Sequence, residues 1–173
     1  MWADAGRKRR CLVLSTGLVE SMHMPTYGIK GQLLKATEKI PYQVGVIGKE
    51  YFWFAGVYND WFDKEAQQWV RTVAFATTSA NLVMQQIHNS KKRMPTILTD
   101  NLAWEWLMEE PSEVRLTEIA LTQIPSKLME ACTIDKNYRF AGEVTPVDYP
   151  DHPALDLTFV DQEKLDFDYW RVS

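Results

Sequence analysis

The order of the secondary-structure signals along the chain most limits its fold. Up to residue 78 the chain carries short runs rich in β-branched and aromatic residues, bounded by glycine and proline. These runs occupy residues 10–17, 41–47, 51–61 and 70–78. Residues 18–24 alternate loosely, so we predict that they form a hairpin with 10–17. The segment "GKE" (48–50) predicts a second hairpin between its flanking runs.

Helical spacing follows the strands. Residues 79–88 predict a helix with Ser79 as its N-cap and Leu82, Val83, Gln86 and Ile87 on one side. A second helix is predicted over 99–110, and a third over 113–123. Because the strands come first and the helices second, the expected fold class is α+β, built on an antiparallel sheet or a partly closed barrel. We expect one domain over 1–141 and a C-terminal extension over 142–173, irregular except for a strand near 154–160.

The composition of the chain limits the kinds of binding and catalytic site that it can carry. The 173 residues have a formal net charge of −4, so any binding to nucleic acid must come from a local patch. Cys11 and Cys132 lie far apart without metal-type spacing, so neither a zinc site nor a disulfide scaffold is expected, and no cofactor or metal is predicted. The chain shows no signal peptide and no apolar run of the roughly 20 residues that a membrane helix needs. A cytoplasmic protein with no membrane partner is expected.

The residues best suited to catalysis and phosphate binding are clustered in "HNSKKR", residues 88–93. His88 follows the first predicted helix and precedes Lys91, Lys92 and Arg93. Histidine transfers protons near neutral pH, and clustered basic residues bind phosphates. These residues therefore predict an acid–base histidine beside a phosphate-binding patch. A surface histidine followed by a solvated basic turn explains the same pattern.

Two further sets of residues allow two interpretations each. Glu20 stands alone among small and apolar residues, where a desolvated carboxyl can act as an acid near neutral pH, but an exposed strand glutamate fits as well. Several aromatic residues of the predicted hairpin can stack on unpaired bases or pack in a β core. They are Trp53, Phe54, Tyr58 and Trp61.

Four segments resemble one family in the same order. They are "WADAGRKRRCLVLSTGLVE", "KIPYQVGV" followed by "FWFAGVYNDW", "VAFATTSANLVMQQIHNSKKRMPTIL", and "WEWL" followed by "IPSKLMEA". The third is the most specific, because the family shows T-T-x-A-N-x-x-M-x-x-I-H-x-R-M-P and then an apolar run. Over roughly residues 2–138 the chain thus resembles the SOS-response-associated peptidase (SRAP) family.

The resemblance implies a function and places three residues. It implies binding of single-stranded DNA at abasic sites, DNA–protein crosslinking and autoproteolytic peptidase activity, with association with the nucleoid when the protein is DNA-bound. The family's catalytic glutamate falls on Glu20, its catalytic histidine on His88, and the arginine of its R-M-P element on Arg93. Two alternatives stay open: a non-catalytic module that binds single-stranded DNA, and a β-rich domain that binds a small molecule or a protein.

The chain departs from the family at its start. In the family, a cysteine after the initiator methionine traps the abasic aldehyde as a thiazolidine through its α-amine and thiol. Here Trp2 holds that position, and Cys11 matches the family's strand cysteine instead. An N-terminally shortened family member and a degenerate paralogue both explain this difference. The expectation is that the 173-residue chain alone forms no stable crosslink to abasic DNA.

Overall fold

The computed structural model describes residues 2–141 and 143–158, with side chains from Asp4 onward. The strands are β1 (Arg10–Ser15), β2 (Leu18–Tyr27), β3 (Leu33–Val46), β4 (Phe52–Asp63), β5 (Gln68–Phe75), β6 (Thr77–Ser79), β7 (Arg93–Pro95), β8 (Ile97–Leu98) and β9 (Met129–Thr133). The helices are α1 (Trp2–Lys8), α2 (Leu82–Ile87), α3 (Asp100–Met108) and α4 (Glu113–Ala120), with a one-turn 3₁₀ helix at Ser126–Leu128.

The strands form two open antiparallel sheets and one short ribbon. In the first sheet β4 lies between β1 and β5 and also pairs with β8. In the second sheet β3 lies between β2 and β9, while β6 and β7 form the ribbon. The predicted α+β class is confirmed, and the sheets do not close into a barrel within the described residues.

Both predicted hairpins are wrong, although the strands themselves exist. β1 pairs with β4, with Cys11 opposite Gly56, whereas β2 pairs with β3. β3 and β4 are consecutive in the chain but lie in different sheets. The chain changes sheet at the turn around Gly48, whose positive φ of 72° suits a residue without a Cβ. Periodicity reports which face of a strand is buried, but it does not identify the neighbouring strand.

The buried residues form two hydrophobic cores, and β4 of the first sheet contributes side chains to both. The first sheet packs against α3 and α4 around Trp106, which is fully buried. The second sheet packs against α2 through a core that includes Tyr42, Val44, Met84 and Ile87. The site residues below lie at the margin of this second core.

The predicted helices are present with adjusted boundaries. α2 begins after Asn81, whose side chain accepts a hydrogen bond from the Met84 N–H, and not after Ser79, which belongs to β6. Thr99 caps α3, because its side chain accepts a hydrogen bond from the Leu102 N–H, and Leu107 of the same helix is exposed. None of the helices in the described residues is long and apolar enough to cross a membrane.

The C-terminal residues 143–158 form an irregular segment, here called the strap. The strand predicted near 154–160 is absent over 154–158, and its last two residues lie outside the described part of the chain. Tyr149 and Leu155 of the strap pack against the second core. The His152 Nε2 atom bonds to the Tyr42 hydroxyl, and the His152 Nδ1 atom is buried without a hydrogen-bond partner.

We predict that docking of the strap weakens at acidic pH. Burial lowers the pKa of His152 below its ordinary value, although the Glu38 carboxylate acts in the opposite direction. The undocked segment therefore binds more protons, so docking is strongest above about pH 6.5, the ordinary histidine value, and is lost as pH falls through the docked pKa. The rate of amide exchange across the strap, corrected for intrinsic rates, should rise as the pH falls below about 6.5. A His152→Gln variant, which cannot titrate, should show no such step, and a step retained in it would contradict the assignment.

Candidate functional site

The structure brings Glu20 and His88 together. Glu20 lies on β2, and His88 is the C-cap of α2. The distance between Glu20 Oε1 and His88 Nδ1 is 4.0 Å, and the two side chains are 32% and 21% exposed. A partly exposed carboxylate and an imidazole at this separation influence each other electrostatically without sharing a hydrogen bond.

A backbone carbonyl orients the His88 ring. The Nδ1 atom lies 2.8 Å from the Arg93 carbonyl oxygen. A carbonyl only accepts, so Nδ1 carries the proton and donates it, which leaves Nε2 of the neutral ring as an acceptor. No other described residue forms a hydrogen bond with Nε2. The site therefore presents an oriented base beside a carboxylate.

Asn81 fixes the helix that carries His88. It is 1% exposed, and its Oδ1 accepts from the Met84 N–H at 2.9 Å. Its Nδ2 donates to the Ile124 carbonyl at 2.8 Å. The sequence signal for this cap was present, because asparagine is as strong an N-cap as serine, but Ser79 carries the same signal two positions earlier.

Asn89 connects the end of α2 to β2, a role that no sequence pattern indicated. Its Oδ1 accepts from the His23 N–H, and its Nδ2 donates to the His23 carbonyl, both at 3.0 Å. The side-chain amide thus replaces a neighbouring strand at the free edge of β2. Because Glu20 lies on the same strand and His88 precedes Asn89, this pair of bonds holds the two site residues at their separation.

Replacement of Asn89 by alanine should destabilise the fold by about 1–3 kcal/mol, since two hydrogen bonds of about 0.5–1.5 kcal/mol each are lost. Urea unfolding followed by circular dichroism measures this change. Asn137→Ala is the matched control, because Asn137 is exposed and its side-chain amide forms no hydrogen bond in the described part of the chain. Equal stability of the two variants would show that the contact with β2 contributes nothing.

The basic run forms an ordered turn next to His88. The Lys92 N–H donates to the His88 carbonyl at 2.9 Å, and Lys92 takes a positive φ of 50°. Lys91, Lys92 and Arg93 are all exposed, and none forms an ion pair within residues 2–141 or 143–158. The turn that supplies the carbonyl to His88 therefore also presents three unneutralised cations beside it.

The other basic run, residues 7–10, serves the fold. Arg10 donates to the carbonyl oxygens of Trp106 and Glu109 at the end of α3. Arg9 pairs with Asp4 at 2.8 Å, and Arg7 pairs with Glu113. Carbonyl groups at a helix C-terminus attract cations, so most of this charge is satisfied internally.

The hairpin aromatics divide between core and surface. Phe54 is buried, and the Trp53 indole donates to Asp100 at 3.0 Å. Arg71 stacks over the Tyr58 ring at 4.4 Å, and Trp61 is exposed. All four aromatics lie on β4 in the first sheet, whereas Glu20 lies in the second.

Neither of the two cysteines is placed as a nucleophile of the Glu20–His88 site. Burial raises the pKa of the Cys11 thiol, which disfavours its nucleophilic thiolate form. Cys132 is exposed on β9. The described residues contain no group of three or more His, Cys, Asp or Glu side chains suited to a metal ion.

Comparison with known proteins agrees with the motifs. The family model described as SOS response associated peptidase (SRAP) matches residues 1–139. The chain belongs to the SRAP family. Abasic site processing protein YoqW of Bacillus subtilis (strain 168) is 33% identical over 93 residues, which cover 54% of this chain and 40% of that protein. The protein of the same name from Bacillus phage SPbeta matches equally. The chain thus spans less than half the length of these SRAP relatives.

Solved structures show the same fold. A protein from Bacteroides thetaiotaomicron aligns with a TM-score of 0.67 and 29% identity, covering 80% of this chain and 55% of that one. A protein from Bordetella bronchiseptica aligns with a TM-score of 0.57 and 18% identity, covering 76% and 58%. The chain therefore shares its fold with these two proteins over about three-quarters of its length or more.

Proposed function

We propose that this SRAP chain binds single-stranded DNA at abasic sites and acts on the exposed sugar by acid–base chemistry at Glu20 and His88. The observation that carries the proposal is the oriented Nε2 atom of His88, which lies beside a carboxylate and a turn with three unpaired cations. The relatives named as abasic site processing proteins support the choice of substrate.

The chemistry suits an abasic sugar. Such a sugar is mostly a cyclic hemiacetal, and it becomes an aldehyde when a proton leaves the anomeric hydroxyl and another reaches the ring oxygen. His88 Nε2 can accept the first proton and return it to the ring oxygen as imidazolium. Glu20, 4.0 Å from the ring, stabilises the imidazolium while it exists. The cations of the turn hold the phosphates that flank the sugar.

The proposal includes the autoproteolytic peptidase activity for which the family is named, at the Glu20–His88 site. A DNA–protein crosslink requires in addition a nucleophile that captures the aldehyde. A thiazolidine forms from the thiol and the α-amine of one residue. The nitrogen atoms of Cys11 and Cys132 both belong to peptide bonds, so neither residue supplies that pair. A non-catalytic single-stranded-DNA-binding module is the second candidate, since neither thiol belongs to the Glu20–His88 site.

Substitution of Lys91, Lys92 and Arg93 together by alanine tests the binding surface. If all three contact phosphates, the slope of log affinity against log salt should become about 2 units less steep, at about 0.7 per phosphate on a single strand. Fluorescence anisotropy with an abasic oligonucleotide at several salt concentrations measures this slope. A Lys30, Lys64 and Arg139 triple alanine variant removes the same charge from exposed positions elsewhere.

The outcomes distinguish phosphate contact at the basic turn from a general charge effect. They also distinguish the catalytic function from the non-catalytic module. Slopes that fall equally in both triple variants would show a general charge effect rather than contact at the turn. Binding to abasic and intact strands with equal affinity, and without any change in the DNA on denaturing electrophoresis, would favour the non-catalytic module.

A further inference from the structure

The strap differs in charge from the domain on which it packs. The strap contains four acidic residues and neither lysine nor arginine. The whole of residues 142–173 contains eight acidic and two basic residues, whereas residues 1–141 contain seventeen basic and fifteen acidic ones. The family model ends at residue 139, so the acidic segment lies beyond the matched region. The net negative charge of the chain therefore resides in its C-terminal extension.

The strap begins on the outer edge of β9. The Val147 N–H donates to the Thr133 carbonyl at 3.0 Å, and the Thr133 hydroxyl donates back to the Val147 carbonyl at 2.7 Å. The Tyr149 hydroxyl donates to the Ile134 carbonyl at 2.8 Å. These bonds start the strap at the side of the second sheet opposite to β2.

The strap ends on the helix that carries His88. His152 bonds to Tyr42 in the middle strand. Farther along, the Gln86 side chain pairs with the backbone of Asp156, donating to its carbonyl and accepting from its N–H, both at 2.8 Å. The strap thus crosses from β9 over β3 to α2, two residues before His88.

This path follows the row of residues that contains Glu20. Glu20 is opposite Tyr42 in the β2–β3 pair, and Tyr42 is opposite Thr133 in the β3–β9 pair. Directly opposed residues project from the same face of a sheet. The strap bonds to Tyr42, which is next to Glu20 in the row, and to Thr133, which follows Tyr42. It therefore borders the Glu20–His88 site on the β9 side.

We propose that the strap is an autoinhibitory segment that competes with the nucleic-acid backbone for approach to this site. This inference rests on the proposed function. Four acidic residues of the described strap are exposed and repel a phosphate backbone: Glu143, Asp148, Asp151 and Asp156. Repulsion of this kind acts over about one Debye length, 8–10 Å near physiological salt, so it is local to the site. A bound DNA strand either displaces the strap or binds with lower affinity because of it.

A strap in which three of the four acidic residues are neutralised tests the proposal. The variant Glu143→Gln, Asp148→Asn and Asp151→Asn leaves the bonds of His152 and Asp156 in place. The control variant Glu50→Gln, Glu65→Gln and Glu110→Gln changes the net charge equally at exposed positions outside the strap. With an abasic single strand at low salt, the strap variant should bind about 5-fold tighter than the control, and the difference should shrink as salt screens it. Equal affinities would overturn the proposal.

Amide exchange with and without saturating abasic strand gives a second, independent measurement. The Val147 and Asp156 amides, which bond to Thr133 and Gln86, should exchange faster when DNA is bound. Unchanged or slower exchange, together with equal affinities of the two charge variants, would overturn autoinhibition while leaving the proposed function intact. Failure of the wild-type chain and both variants to bind DNA would instead reject the proposed function, and this inference with it.

Discussion

Replacement of Trp106 by alanine should destabilise the protein by about 3–5 kcal/mol, the range for removing a large buried aromatic side chain. Trp106 is 0% exposed and lies at the centre of the first core. Its indole N–H also donates to the carbonyl oxygens of Cys11 at 3.1 Å and Gly56 at 3.2 Å. Alanine removes the ring volume and leaves both carbonyl groups without that donor.

The size of this effect follows from what the indole joins. Cys11 lies on β1 and Gly56 on β4, so one N–H attaches α3 to two neighbouring strands of the first sheet. A domain stability of about 5–15 kcal/mol leaves little margin after such a loss. Urea unfolding of the wild type and the variant gives the difference in free energy.

Trp106→Phe separates packing from hydrogen bonding. Phenylalanine keeps much of the ring volume but cannot donate, so it should cost less than alanine. Trp104→Ala is the matched surface control, because Trp104 lies on the same helix and is 61% exposed. If Trp106→Ala cost no more than Trp104→Ala, the first core would not depend on the indole.

The strands were predictable because burial of one face leaves a periodic signal in the sequence. The partners of the strands were not, because that signal is local. Pairing of 18–24 with 10–17 would have placed Glu20 in the first sheet, whereas the structure places it opposite Tyr42 in the second. The short turn at Gly48 resembles a hairpin turn in composition but carries the chain from one sheet to the other.

The site residues could likewise be identified from local sequence, whereas the contacts that position them could not. Glu20, His88 and the basic turn were selected from the chemistry of their residue types and from the family motif. The contacts that position them join distant segments: Asn89 with His23, and Gln86 with Asp156. Asparagine and glutamine give no periodic or motif signal for such partners, so only the folded structure identifies them. The strap was expected to be irregular, but its course along the row of Glu20 was unforeseen.

Replacement of His88 by alanine should slow capture of the abasic aldehyde about 100-fold, the lower end of the range for general acid–base catalysis. The assay supplies free cysteine, an external 1,2-aminothiol, to abasic single-stranded DNA saturated with protein. Its amine condenses with the aldehyde and loses water, and its thiol then adds to the imine to give a stable thiazolidine. The measured rate therefore reports ring opening at the site, whatever nucleophile the whole protein uses.

The control histidine makes this prediction specific. His23 lies three residues after Glu20 on the same strand, and its imidazole bonds to Thr37. His23→Ala keeps the backbone groups that bind Asn89, so it should retain the wild-type rate. Glu20→Gln should fall between the wild type and His88→Ala, because it removes the charge that stabilises the imidazolium but leaves the base in place. Anisotropy measurements ensure that every variant is compared when saturated with DNA. Equal capture rates for His88→Ala and His23→Ala would remove His88 from the chemistry, and the site would then only bind the strand.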